Sequence, residues 1–168
     1  IKESGEQYVR FMPLEPFETP MAIEAMCDSF NREMDVCEID PLILIPAFIV
    51  DFLCIHPFND GNGRMSRLLT TLLLYRAGYV VGKYVSLESK IEKTKDSYYD
   101  ALEKSDIDWH REGNDITPFI KYILGTILAA YRDFEERVTI VEGKVTTIDL
   151  VRKAVGNTIG KFTKNDIM

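Results

Sequence analysis

Most of the groups in this chain that could do chemistry sit in one unbroken stretch, His56-Pro57-Phe58-Asn59-Asp60-Gly61-Asn62-Gly63-Arg64-Met65-Ser66-Arg67. It combines a titratable base, a carboxylate, a Gly-Asn-Gly turn and two arginines. Gly61 and Gly63 permit backbone angles that turn successive N–H groups inward, and such a nest at the start of a helix is an anion site. Arg64 and Arg67 lie three residues apart and share one face of the helix that follows. Two forked cations beside a nest suit a polyphosphate better than a single carboxylate. Asp60 would repel that ligand unless a divalent cation lay between them, as Mg²⁺ does when a carboxylate, phosphate oxygens and water share it. His56 carries an imidazole, the side chain best suited to take a proton from an incoming hydroxyl near neutral pH. Phe58, with Pro57, reads as a plug that fixes the loop to the core.

Two apolar segments must hold these groups in place. Leu42 to Ile55 is apolar on nearly every face, is opened by Asp40-Pro41, and delivers His56 to the end of a buried helix. Leu68 to Leu74 is a second apolar run, stopped at Ala77-Gly78 by a glycine suited to a left-handed cap. Pro46 inside the first run is expected to remove one backbone bond and bend the axis.

The stretch resembles the H-P-F-x-[DE]-G-N-G-R-x-x-R signature of the Fic (Fido) family at every specified position. At average residue frequencies a chance match is on the order of 10⁻¹¹ per window, which sets coincidence aside. The resemblance implies an all-α Fic-type bundle with a short β-hairpin flap, and a protein adenylyltransferase that moves AMP from Mg-ATP to a Ser, Thr or Tyr hydroxyl. It implies His56 as the general base and Asp60 as the Mg²⁺ ligand. It also implies a nucleotide site formed by Asp60, Gly61, Asn62, Gly63, Arg64, Met65, Ser66 and Arg67, with Arg67 reaching the γ-phosphate. Gly63 differs from the lysine of the Doc-like branch, which transfers phosphate, and favours AMP transfer. The protein acceptor could be another molecule or the chain itself, and a homodimer is compatible with the family. Two rivals stay open: a Fic relative with another donor or a de-AMPylating activity, and a nucleotide-sensing module coupled to a DNA-binding winged helix. The intact His56 favours the enzyme, since a sensor needs no base.

Composition narrows the partners. The chain has 168 residues, 46% hydrophobic and 28% charged, enough for one domain with a substantial core. A net charge of −7 offers no global basic field for nucleic acid. The longest apolar run carries Asp51 and is too short to span a bilayer. With no signal peptide ahead of it, the expected location is the cytoplasm. Cys27, Cys37 and Cys54 are odd in number, as free thiols in a reducing compartment would be. The start at Ile1 and the end at Met168 read as those of a fragment of a longer protein.

The remaining segments are read from their punctuation. Tyr8 to Phe11, followed by Met12-Pro13-Leu14-Glu15-Pro16, excludes helix and reads as an edge strand, a hairpin or a surface connector. By the family resemblance Met12, Pro13, Leu14 and Glu15 form the flap that holds the target segment by strand pairing. Thr19-Pro20 is expected to cap a helix reaching about Met34. Ser29 to Glu33 superficially fits the family's inhibitory helix, but Met34 departs from it and a solvated face accounts for it better. Tyr79 to Val85 reads as an extended link, and Ser86 starts a helical region whose second part is Ile91 to Lys104. Of the adjacent Tyr98 and Tyr99, at most one can be core. The resemblance places both, with Asp106, around the base and sugar. His110 reads as a surface residue, since two histidines make no zinc pattern. Thr117-Pro118 opens a core-packing helix from Phe119 to about Val138, with Ile120, Ile123, Leu124, Ile127, Leu128, Tyr131 and Phe134 as its apolar face. The expected organisation is a catalytic domain over residues 1–140 and, over 141–168, a linker with the start of a helical unit. That unit resembles the winged helix which follows bacterial Fic domains, or is a bracing hairpin.

Overall fold

A helix apolar on all sides is stable only when other elements surround it. The computed structural model, which describes residues 11–141, places α2 (Pro41–Ile55) at the centre of such a bundle. Asp40 caps it by accepting a hydrogen bond from the Leu42 N–H at 2.8 Å. Ile45, Pro46, Phe48, Ile49, Val50, Phe52, Cys54 and Ile55 are all buried, and the helix continues unbroken through Pro46. Around it pack α1 (Thr19–Val36), α3 (Asn62–Arg76) and α6 (Thr117–Val141). Two shorter helices, α4 (Leu87–Lys93) and α5 (Lys95–Ser105), lie against α6.

The all-α architecture is as expected, while several boundaries differ for local reasons. Thr19 is the first residue of α1 rather than its cap; its hydroxyl donates back to the Glu15 carbonyl at 3.2 Å, across the turn at 16–18. The link at Tyr79 to Val85 is not extended. Val80–Lys83 forms a 3₁₀ turn, and Val81 and Val85 both enter the core. Ser86 caps α4 as expected, accepting from the Ser89 N–H at 3.1 Å, but the helical region breaks at Thr94. At the start of α6 the carboxylate of Asp115, not Thr117, supplies the cap by accepting from the Thr117 N–H at 2.9 Å. The core face of α6 runs through Phe119, Ile123, Ile127, Ala130 and Phe134. Leu128 and Tyr131, expected on that face, point outward.

No strand forms among the described residues, so the hairpin expected over residues 8–18 is not formed in its described part. Residues 11–15 have no regular structure, and Met12, Pro13 and Glu15 are exposed. The remainder of that expectation, and the whole of the unit expected after 141, lie outside the described residues. Cys27, Cys37 and Cys54 are free thiols, and no described helix is long and apolar enough to cross a membrane.

Phe119 is completely buried and joins α6 to the ring of Tyr98 on α5, with centroids 5.5 Å apart. Phe119→Ala should therefore destabilise the fold by about 3–5 kcal/mol. A urea titration followed by circular dichroism measures this; a loss under 1 kcal/mol would place the ring outside the core.

Candidate active site

The connection from α2 to α3 is short and is held from within. His56 terminates α2 in a left-handed conformation, φ 56° and ψ 57°, with its N–H bonded to the Phe52 carbonyl at 3.0 Å. Gly61, φ 89°, makes the second reversal, and α3 begins at Asn62. Between them the Asn62 side chain, 2% exposed, bonds the backbone of Phe58 at both ends. Its Oδ1 accepts from the Phe58 N–H at 3.0 Å, and its Nδ2 donates to the Phe58 carbonyl. A buried amide satisfied twice by one residue closes the loop into a ring and aims the α3 N-terminus.

That N-terminus has the form expected of an anion site. The amides of Asn62, Gly63 and Arg64 precede the first intrahelical donor, since Met65 N–H is the first to bond back, to the Gly61 carbonyl at 2.8 Å. Side chains at Gly61 and Gly63 would meet the guanidinium groups of Arg64 and Arg67, at 3.4 and 3.5 Å. Both cations thus lie against the turn. Arg64 also donates to Asp60 at 3.0 Å, while the other Asp60 oxygen accepts from the Gly61 N–H at 2.7 Å. Arg67 is more enclosed, and its Nε is taken by Glu88 on α4 at 3.3 Å, so its terminal nitrogens remain directed to Gly63.

The His56 ring has a fixed orientation. Its Nδ1 lies 3.2 Å from the Leu53 carbonyl. A carbonyl only accepts, so Nδ1 carries the hydrogen, and the neutral ring keeps the Nε2 lone pair for an incoming proton. The imidazole lines two spaces at once. One, of about 690 Å³, is shared with Phe11, Pro13, Gly63, Tyr99, Glu103 and Asp106. The other, of about 640 Å³, runs between Pro13, Leu14, Ile23, Phe52 and Phe58.

Among known proteins, the Fic/DOC family model matches residues 1–74, which include the whole of the His56–Arg67 stretch. A Fic family protein from Desulfovibrio desulfuricans has a solved structure similar to this one over 98% of the chain, at 30% identity and a TM-score of 0.63. The chain belongs to the Fic/DOC family. A Fic domain protein of Bacteroides thetaiotaomicron is similar over 71% of the chain, at 27% identity and a TM-score of 0.60. The protein adenylyltransferase fic-1 of Caenorhabditis elegans is 29% identical over 114 residues, and a Fido domain protein of Dictyostelium discoideum 27% over 122. This Fic chain spans 20% of the nematode protein, 80% of the Dictyostelium one and just under half of each bacterial structure.

Not every residue singled out from the sequence reaches the Fic site. Gly63, Tyr99 and Asp106 line the larger space with His56, and Pro13 and Leu14 lie at its rim or beside it. Asn62 and Ser66 act through their side chains on the protein itself: Ser66, fully buried, donates to the Gly63 carbonyl at 2.9 Å. Met65 turns to a separate groove of about 310 Å³ with Phe58, Asp60, Gly61, Arg64 and Leu68. Tyr98 is not at the wall. It is 4% exposed beneath the site, where burial pushes its phenol above the ordinary tyrosine range and the Ser66 hydroxyl and Arg67 charge partly oppose that. Its neighbour Tyr99, half exposed, takes the wall position. Glu33 pairs with Arg32 in α1 and not with Arg67. Glu88 and Glu103 were not singled out; the one available signal is that Glu88 falls in the first turn of a helix, where acidic residues are common without any ligand.

Among the described residues no group of three or more His, Cys, Asp or Glu side chains converges as a metal site. Asp60, with its side chain 91% exposed, offers one carboxylate at the nest. That fits Mg²⁺ shared with phosphate oxygens and water, not a protein cage. Asn62→Ala should cost about 1–3 kcal/mol, because it leaves both Phe58 backbone groups unpaired in a partly buried loop. Chemical denaturation reads the loss directly; stability equal to the parent would show that the loop does not need this ring.

Proposed function

We propose that this chain is a protein adenylyltransferase, transferring AMP from Mg-ATP to a hydroxyl side chain of a protein and releasing pyrophosphate. One observation carries the reading: His56, whose Nδ1 is engaged by the Leu53 carbonyl, and Gly63 at the start of α3 line the same cavity. A pure nucleotide sensor would need the nest and arginines without an oriented base. The adenylyltransferase names of several relatives agree with it.

In this reading the α-phosphate sits on the amides of Asn62 to Arg64, and the base and sugar extend toward Tyr99 and Asp106. Arg64 and Arg67 meet the β- and γ-phosphates, with Arg67 held ready by Glu88. Asp60 would hold Mg²⁺, which when bound offsets charge on the phosphate oxygens. The acceptor hydroxyl enters from the groove on the other side of His56, gives its proton to Nε2, and its oxygen attacks the α-phosphorus. The bond to the β-phosphate breaks on the opposite side, and the arginines hold the charge that leaves with pyrophosphate. Positioning and charge stabilisation supply most of the rate. The acceptor could be this chain or a separate protein in the cytoplasm.

His56→Ala should reduce incorporation of label from α-labelled ATP into protein by about 10²–10⁴-fold and leave ATP affinity near that of the parent. Arg67→Ala should instead weaken ATP binding by about tenfold or more, measured by titration calorimetry. Incorporation by His56→Ala at the parental rate would overturn the role given to the imidazole.

A further inference from the structure

Residues 11–15 form part of both spaces that meet at His56. Phe11 and Pro13 line the larger cavity, and Pro13 and Leu14 line the groove beside it. Yet this segment is neither helix nor strand, so no backbone ladder fixes its place. Its tether comes from the other end of the chain. The Met12 carbonyl lies 2.7 Å from Nε2 of His110, in the loop between α5 and α6. The carbonyl accepts, so His110 Nε2 carries the hydrogen and donates. Phe11 stacks on the same imidazole, with centroids 5.4 Å apart and planes at 15°, and meets the Trp109 ring edge-on at 6.3 Å. The Trp109 indole N–H in turn donates to Asp51 Oδ1 at 2.8 Å.

Asp51 is the unexpected member. It stands in α2, whose neighbouring positions are apolar, and burial raises its carboxyl above the ordinary range while the Trp109 N–H pulls it back. An apolar residue would serve packing at lower cost. The carboxylate has a use there only for what it holds. Asp51 also lies on the helix that ends in His56, so the tether runs from the base-bearing element, through the α5–α6 loop, to the segment that borders the base.

We propose that Asp51, Trp109 and His110 are positioning residues that clamp residues 11–14 against α2, and so fix the passage through which the acceptor hydroxyl reaches His56. This rests on the adenylyl-transfer reading for its purpose, though not for its geometry. The variants are Trp109→Phe, which keeps a ring but loses the N–H, His110→Ala, Asp51→Leu and Asp51→Asn. The asparagine still presents an oxygen to the indole and should behave as the parent. In the other three, backbone hydrogen exchange of residues 11–15 should quicken by about tenfold, the factor one lost hydrogen bond supplies. Trp109 is the only tryptophan in the sequence, so its fluorescence should shift in Asp51→Leu and not in Asp51→Asn.

The catalytic readout uses α-labelled Mg-ATP and dilutions of a soluble lysate as acceptor protein. Trp109→Phe, His110→Ala and Asp51→Leu should need about tenfold more acceptor for half-saturation, with the maximal rate and ATP affinity close to the parent's. Unchanged exchange at 11–15 in both Trp109→Phe and His110→Ala would show there is no clamp. Faster exchange with unchanged acceptor dependence would equally overturn the positioning role. If the parent itself incorporates no label, the adenylyl-transfer reading fails, and exchange and fluorescence still decide whether the clamp exists.

Discussion

The site depends on one side chain folded back onto its own loop. Asn62 satisfies both backbone groups of Phe58 and is itself almost wholly buried. That ring fixes where α2 may end and where α3 must begin. Without it the left-handed turns at His56 and Gly61 would be two independent hinges, and the imidazole and the nest would have no set distance. A residue of the signature that resembles a ligand contact is therefore a structural tie, and its own backbone amide is among those left unpaired at the start of α3.

Charge is distributed with the same economy. Arg64 and Arg67 rest against glycines that leave room for them, yet each already has a carboxylate partner, Asp60 and Glu88. The Arg67 pair engages Nε and leaves the fork open, which orients the cation instead of consuming it. An exposed pair such as Arg64 with Asp60 contributes little stability and can open without much cost. The site is thus arranged before any phosphate arrives, while remaining able to exchange partners.

The fold class was legible because apolar spacing is a direct physical signal: α2 reads as buried on nearly every face, and beyond the exposed Ile43 its apolar residues are buried or half-buried. Boundaries were less legible where a cap lay outside the expected residue, as with Asp115 ahead of Thr117, or where a presumed extended link closed into a 3₁₀ turn. The chemistry of residues 56–67 was readable because the groups are adjacent in sequence. Side-chain direction was not. Spacing alone says that at most one of Tyr98 and Tyr99 is core, and only packing against Phe119 and Tyr122 decides that it is Tyr98. Glu88, Trp109 and His110 act across long sequence separations, for which a single chain carries no local sign. Leu128 and Tyr131 continue an apolar helical pattern into solvent, because the pattern on α6 is wider than the face its neighbours cover.

The backbone of His56 has a cost that bears on how this chain can change. A residue with a side chain held at φ 56° is less comfortable there than glycine or asparagine, by an amount on the order of 1 kcal/mol. The replacements that would relax the corner therefore lack the imidazole. A relaxed backbone and an imidazole are therefore competing demands at this one position, and the chain carries the imidazole with the strain that comes with it.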